Sequence, residues 1–398
     1  MKASYLIYAK RTPIGKIGGA LAPVRVDDLM AHLLKDFKQQ ELFPLEEIDD
    51  VIVGCANQAG EDNRNLARMA VVLAEYPMSV PGVTLNRLCA SSLDGVMDAA
   101  ARIGAGFADC ILVGGAESMS RGPLVISKSG TAFGRDNKLY DSTFGWRFPN
   151  PKMEAMFPLY GMGETAEEVN IEHKISREEQ DEFALASHQK ALAAWDAGRF
   201  DNEVVPYEVQ LRKKSYTVDR DEGPRATTNM EALGKLKPVF RKGGSVTAGN
   251  ASSMNDGSAL VAVVSEDFLK KHNLTPITRI IGGATHALHP NVMGLGPVGA
   301  TQKLCKRFGL KVSDFDMVEL NEAFAVQSLA CMRDLEIDKS IVNLNGGAIA
   351  LGHPLGCSGA RITTTLTHLM KESKTAKKGL ATMCVGVGQG VAVAFEKC

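Results

Sequence analysis

The stretch Val83-Thr84-Leu85-Asn86-Arg87-Leu88-Cys89-Ala90-Ser91-Ser92-Leu93-Asp94-Gly95 organises the reading of the whole chain. An apolar, β-branched run stops at a cysteine, and small residues then open a helix that continues through Ala99-Ala100-Ala101 to Gly104. A strand that becomes a helix at a cysteine brings the sulfur to the converging free N–H groups of the helix. Their partial positive charge favours the thiolate, which is the nucleophilic form. Taken alone, Cys89 reads equally well as a buried structural cysteine, since free cysteine is among the most buried residue types.

Outward from this stretch, strand-like and helix-like runs alternate. Tyr5–Ala9 reads as a strand, Val26–Phe37 as an amphipathic helix, Val51–Cys55 as a buried strand and Asn65–Ala74 as a helix. Gly82–Leu88 is the strand before Cys89, Ser91–Ile103 the helix after it, and Cys110–Gly115 the next strand. Strands alternating with helices of this length argue for parallel-type sheets covered on both faces. The order recurs in the C-terminal part at nearly constant separation. Asp50–Val53 answers Asp316–Glu319, the turn at Cys89 answers that at His353, and Ile111–Gly115 answers Thr382–Gly386. Two copies of one βαβ-rich unit follow from that. Between them the texture changes: Ser118–Met156 is irregular, Ser176-Arg177-Glu178-Glu179 forms a capping box opening a helix to Ala194, and a charged segment runs from Gln210 to Arg225.

Three further motifs settle the role of Cys89. They are Asn321-Glu322-Ala323-Phe324-Ala325, Asn345-Gly346-Gly347-Ala348-Ile349-Ala350-Leu351-Gly352-His353-Pro354-Leu355-Gly356, and Cys384-Val385-Gly386-Val387-Gly388-Gln389-Gly390. Together with the stretch around Cys89 they make the chain resemble the thiolases, acyl-CoA C-acyltransferases, along essentially its whole length. The resemblance implies an α/β fold with a duplicated five-layer αβαβα core and an inserted loop domain. It implies a first core unit at residues 1–120 plus 245–272, a loop domain at 121–244 that carries most coenzyme A contacts, and a second core unit at 273–398.

Chemistry next to a thioester needs a nucleophile, a base for it, a second acid/base at the α-carbon and two oxyanion holes. The resemblance assigns Cys89 as nucleophile, His353 as its base and Cys384 as the second acid/base. The N–H groups of Cys89 and Gly386 are then expected to form one oxyanion hole, and His353 with a water held by Asn321 the other. Asn321 could equally cap a helix starting at Glu322. For coenzyme A or acetyl-CoA, substrates rather than resident cofactors, the resemblance points to Arg225 near the adenine end and to Ser252 and Met162 along the pantetheine channel. Two departures stand out. Gly161-Met162-Gly163 replaces the His-Met-Gly of short-chain biosynthetic thiolases, and Ser253 stands where glycine is more usual. Thr143-Phe144-Gly145-Trp146-Arg147-Phe148-Pro149-Asn150-Pro151 is similar to the loop of degradative thiolases of the 3-oxoadipyl-CoA type. The expected activity is cleavage of a 3-oxoacyl-CoA by CoA, or the reverse condensation of two acetyl-CoA.

Rival readings use the same side chains differently. A decarboxylating ketosynthase would place a second histidine where Asn321 stands and would not need Cys384. A non-catalytic acyl-CoA binder would lack at least one of the four groups. No metal is expected, because no fourth ligand accompanies Cys89, His353 and Cys384, and zinc would quench both thiols.

Composition supplies the remaining bounds. The chain has 398 residues, 45% hydrophobic, with 45 Lys+Arg against 46 Asp+Glu. That balance gives no sign of a nucleic-acid or membrane surface. No apolar run approaches the roughly 20 residues of a bilayer span, and because the N-terminus goes straight into a strand-like run no signal peptide is expected. Eight cysteines with no C-x-x-C pair do not make a disulfide scaffold, so a cytoplasmic, reducing setting is expected. Cys55, Cys110, Cys305 and Cys331 read as core fillers, and the resemblance implies a homodimer or homotetramer.

Overall fold

The computed structural model describes residues 2–398, and its centre is one continuous mixed sheet. Nine strands lie along it: β1 (Ser4–Arg11), β2 (Asp50–Gly54), β3 (Val83–Leu85), β4 (Cys110–Ser118), β5 (Asn255–Ser265), β6 (Thr278–Ala287), β7 (Met317–Leu320), β8 (Lys378–Val385) and β9 (Gln389–Lys397). Their order is β7-β8-β9-β6-β1-β5-β4-β2-β3, with Gly15–Lys16 added against β5. Apart from the edge strand β3 the two halves repeat one strand order, and only the short antiparallel pairing of Ser4–Leu6 with Thr278–Ile280 joins them.

The parallel sheets expected from alternating strands and helices are found only in part. Pairing is parallel for β2 with β3, β2 with β4, and β7 with β8, but antiparallel at every other strand pair of the nine. The physical reason is connectivity. A long excursion, not a crossover helix, separates β4 from β5, and β8 returns directly as β9 through a three-residue turn, which only antiparallel strands allow.

The layers follow from which faces are apolar. Helix α1 (Val26–Gln39) presents Val26, Leu29, Met30, Leu33, Leu34 and Phe37 to the core, a stripe at helical period. With Leu66–Leu73 it covers the outer face of the first half. Helix α4 (Gly296–Phe308) and the helix Ala325–Asp334 cover the outer face of the second. Helices α2 (Ser91–Gly104) and α5 (Ser358–Glu372) lie between the halves, where Leu93, Val96, Ile362 and Leu366 meet Ile52, Val113, Val261, Met383, Val391 and Phe395. Five layers, αβαβα, result. The expected capping box forms at α3 (Arg177–Asp196): the Glu179 N–H donates to Ser176 Oγ at 3.1 Å, and the Ser176 N–H donates to Glu179 Oε2 at 2.8 Å. The Ser118–Met156 excursion contains a small hairpin, Leu124–Ile126 with Leu139–Asp141. No helix among the described residues is long and apolar enough to cross a membrane.

Between the halves lies a buried polar seam. Arg11 donates to Glu203 (2.6 Å) and Asp221 (2.7 Å), and Arg361 on α5 donates to Glu319 on β7 (3.1 Å). Burial pushes the Glu319 carboxyl up to about 8 against the pull of Arg361, with Glu203 and Glu322 adding to the rise. A carboxyl raised from about 4.5 contributes stability that is complete below that value and is lost as pH rises through about 8. Glu319→Gln keeps the group neutral throughout. Its melting temperature should therefore fall less than the wild type's between pH 5 and 8, by a few degrees. Identical pH slopes in thermal melts would refute this.

Candidate active site

Three turns meet at one floor. The first precedes α2. Strand β3 stops at Leu85, and Leu88–Ala90 form a 3₁₀ turn that leads into the helix. Leu88 has φ +47°, a region unfavourable for a bulky side chain. Asn86 holds it there, its Oδ1 accepting from the Leu88 N–H (2.8 Å) while its Nδ2 donates to the Ala56 carbonyl (3.0 Å). The second turn precedes α5 in the same way. Gly352, at φ +115°, leaves no room for a Cβ against Asn255, and His353 follows. The two helix starts touch: the Ala360 N–H donates to Ser92 Oγ at 2.8 Å, and a Cβ on Gly359 would lie 2.2 Å from the Leu93 nitrogen.

The third turn joins β8 to β9. Val385 pairs with Gln389, leaving Gly386, Val387 and Gly388 to turn the chain, with Val387 at φ +62° and Gly388 at +74°. A β-branched residue there is strained. The backbone N–H groups of Gly386 and of Cys89 itself lie near enough to the Cys89 sulfur to favour its thiolate. Cys384, one residue before the end of β8, is close enough to Cys89 for that sulfur to help hold it as a thiol. Asn321 follows β7, its N–H donating to the Thr382 carbonyl of β8. Its Nδ2 lies 3.5 Å from His353 Nε2, and its buried Oδ1 has no partner among the described residues. The next helix starts only at Ala325, so Asn321 caps nothing. Cys89, Gly386, Cys384, Asn321 and His353 are thus brought together from four distant segments.

Hydrogen bonding sets the imidazole tautomer. Ser358 Oγ–H donates to the Pro354 carbonyl (2.8 Å), so Oγ accepts from His353 Nδ1–H (2.6 Å) and Nε2 is left with its lone pair facing Asn321. Burial, with Arg361 adding to it, pushes the imidazole down to about 3, so it stands neutral and able to take a proton. The helix-start field that favours a thiolate at Cys89 is opposed by burial. Burial pushes this thiol up to about 11, outweighing the N–H of Gly386 and its own, so the proton stays until a base removes it. Burial also holds Cys384 as a thiol, well above its ordinary range, with Cys89 and Cys331 adding to the effect.

Several supporting residues escape a sequence reading. Ser358 looks like an ordinary helix-start serine five residues after His353. Glu117, fully buried at the end of β4, accepts from the N–H groups of Ala56 (2.9 Å), Asn57 (3.1 Å) and Gly356 (2.8 Å). It thereby clamps the turn after His353 onto the first half. Glu322 accepts from Ser187 Oγ–H of α3 (2.7 Å), the Ile349 N–H (3.1 Å) and Asn343 Nδ2 (2.8 Å), which seats α3 under the glycine-rich turn. The one signal for both is an acid inside an otherwise apolar or small-residue run, where a charge must find donors.

The residues expected along a coenzyme A channel are less closely gathered. The Ser252 N–H donates to the Ala323 carbonyl (3.0 Å), two residues past Asn321. Met162 is partly exposed, its sulfur 3.8 Å from where a Cβ on Gly386 would stand. Arg225 is exposed, with its N–H donating to His188 Nδ1 (3.3 Å), two residues after Gly223, which packs on the Ala350 carbonyl.

The chain is similar along its whole length to known proteins. A family profile described as "Thiolase, N-terminal domain" matches residues 4–267, and one described as "Thiolase, C-terminal domain" matches 274–397. The chain is 52% identical over 400 residues to a beta-ketoadipyl-CoA thiolase of Pseudomonas putida, covering 100% of each. It is 48% identical over 401 residues to the 3-oxoadipyl-CoA/3-oxo-5,6-dehydrosuberyl-CoA thiolase of Escherichia coli (strain K12), again covering 100% of each. Its fold is similar to that of human mitochondrial 3-ketoacyl-CoA thiolase in complex with CoA, with TM-score 0.91, 40% identity and coverage of 100% of this chain and 98% of the other.

Proposed function

The chain belongs to the thiolase family, and on that premise we propose that it cleaves 3-oxoadipyl-CoA with coenzyme A to give succinyl-CoA and acetyl-CoA. Acyl transfer itself is the family's chemistry; the substrate is our reading, supported by the 3-oxoadipyl-CoA relatives and by the Thr143–Pro151 loop. One observation supports the mechanism: the helix starts after Cys89 and His353 touch, with the Gly386 N–H and Cys384 near the Cys89 thiol and Asn321 beside His353.

In this mechanism His353 Nε2 takes the Cys89 proton as the sulfur attacks the C3 ketone. The resulting oxyanion receives the N–H groups of Cys89 and Gly386. The C2–C3 bond breaks, and the enolate oxygen is met by the new Nε2–H and by a water on Asn321. Cys384 then protonates the enolate carbon, releasing acetyl-CoA and leaving succinyl-Cys89. The incoming CoA thiol gives its proton to the Cys384 thiolate and attacks the thioester. Cys89 leaves and recovers its proton from His353. A decarboxylating condensation is not favoured, since Asn321 stands where that chemistry needs a histidine and Cys384 stands at the site. Ser252, Met162 and Arg225 are proposed to line the coenzyme A path.

We propose further that the protein works in a reducing cytoplasm, which free thiols require, and as a homodimer or homotetramer. The exposed apolar side chains Leu124, Ile126, Phe133 and Leu139 support assembly. The core and loop-domain boundaries given above stand as part of this proposal. Coupled thiolysis across acetoacetyl-CoA, 3-oxoadipyl-CoA and longer 3-oxoacyl-CoAs tests the substrate. The expected result is the highest kcat/KM on 3-oxoadipyl-CoA; a preference for either other class would overturn it.

A further inference from the structure

We infer that Arg147 receives the distal carboxylate of the acyl group, which makes it the residue that selects a dicarboxylic 3-oxoacyl-CoA over an uncharged one. This rests on the substrate reading above and deepens it. The loop that carries Arg147 is tied to both sides of the Cys89 pocket. On one side, Trp146 Nε1–H donates to the Tyr160 carbonyl (3.0 Å), two residues before Met162, whose sulfur borders Gly386. On the other, Arg147 Nη1 donates to the Ser142 carbonyl (3.1 Å), which also accepts from Asn57 Nδ2 (3.2 Å). Asn57 follows Ala56, whose carbonyl holds Asn86 in the turn before Cys89. Left-handed residues, Gly145 at φ +76° and Phe148 at φ +50°, bracket the Trp146-Arg147 pair. Phe148 bears the strain of a bulky side chain there, and its ring rests on Tyr140 at 4.8 Å.

The charge on Arg147 is also uncompensated. Several arginines on segments flanking the site are matched, Arg87 with Asp94, Arg121 with Glu61, and Arg241 with Glu168, whereas Arg225 on the proposed coenzyme A path is exposed and also unpaired among the described residues. Arg147 is half-buried, spends one N–H on a carbonyl and pairs with no carboxylate among the described residues. A partly desolvated guanidinium with free donors is best satisfied by a carboxylate, whose two oxygens match its fork. A succinyl group on Cys89 would carry such a carboxylate two methylenes beyond its carbonyl. Coenzyme A phosphates are the other anions available, and the test separates the two.

Arg147→Gln and Arg147→Lys are assayed against wild type on 3-oxoadipyl-CoA and on 3-oxohexanoyl-CoA, a chain of equal length without the carboxylate. Loss of a charge-assisted hydrogen bond should lower the ratio of the two kcat/KM values about 10- to 100-fold in Arg147→Gln. Arg147→Lys should fall in between. Because both substrates are read on one preparation, the ratio is independent of how much protein is folded. An equal loss on both substrates, a loss appearing only as a raised KM for CoA, or no loss at all would overturn the assignment. If instead wild type already fails to prefer 3-oxoadipyl-CoA, the substrate reading falls and takes this inference with it.

Discussion

Cys89→Ser should carry no acyl group after incubation with acetyl-CoA or 3-oxoadipyl-CoA, and thiolysis should fall by about 10⁴-fold or more. The size of the loss follows from the site's electrostatics. The resting pair is a thiol held up to about 11 and an imidazole pushed down to about 3, so the proton moves only as the sulfur attacks. A hydroxyl in the same place is a far weaker acid, and a base this poor cannot activate it. The N–H groups of Gly386 and residue 89 remain, which makes the loss one of nucleophile rather than of oxyanion stabilisation. Intact-protein mass spectrometry reads the adduct directly. Full turnover by the variant, or an acyl adduct carried on Cys384 in its place, would contradict the assignment of the nucleophile.

That site was legible from the sequence to an uneven degree. The helix Val26–Gln39 announces itself through its apolar stripe, and the turns at Cys89 and His353 through glycine, proline and small residues. Strand direction was hidden, because a buried apolar run reads alike in a parallel and an antiparallel pair. Helix α5 was hidden too. Every residue from Ser358 to Met370 is buried, yet beside the stripe Ile362, Leu366, Leu369 and Met370 the segment carries four threonines, an arginine and a histidine, which read as a solvated face. It is covered on all sides because it lies between two sheet halves. Its hydroxyls can bond the helix's own carbonyls, as Thr363 Oγ1–H does to Gly359 (2.9 Å). The rise of the Cys89 thiol is hidden from the sequence for a related reason. The field of a helix start can be read from local sequence, whereas burial is a property of everything packed around it, and burial dominates here.

Strain at the floor links fold to chemistry. Both segments that supply N–H groups to the Cys89 sulfur contain a side chain at positive φ, Leu88 in one and Val387 in the other. Neighbouring contacts hold each of them: Asn86 binds Leu88, and Gly388, beside Val387, is wedged against the Leu288 carbonyl. Donors fixed before substrate arrives need no reorganisation when charge develops, which is the condition under which backbone N–H groups stabilise an oxyanion most.

Cys384→Ser should separate the two halves of the reaction. Carbon–carbon cleavage is expected to fall by about 10²- to 10⁴-fold, the usual contribution of a positioned proton donor, while exchange of labelled CoA into acetyl-CoA persists at a reduced rate. The asymmetry comes from what each step asks of a proton. In exchange the leaving group is a CoA thiolate, stable enough to depart with little help. In cleavage the enolate carbon must be protonated before acetyl-CoA can leave, and the Cys384 thiol, kept protonated by burial beside Cys89, is the acid in place. A serine hydroxyl can still donate a hydrogen bond but is too weak an acid and too poor a base to run that step in either direction. Measuring exchange and thiolysis on the same preparation gives the ratio directly. Equal loss of both would mean that Cys384 supports the acylation of Cys89 as much as the carbon–carbon step, and the division of labour between the two sulfurs would have to be redrawn.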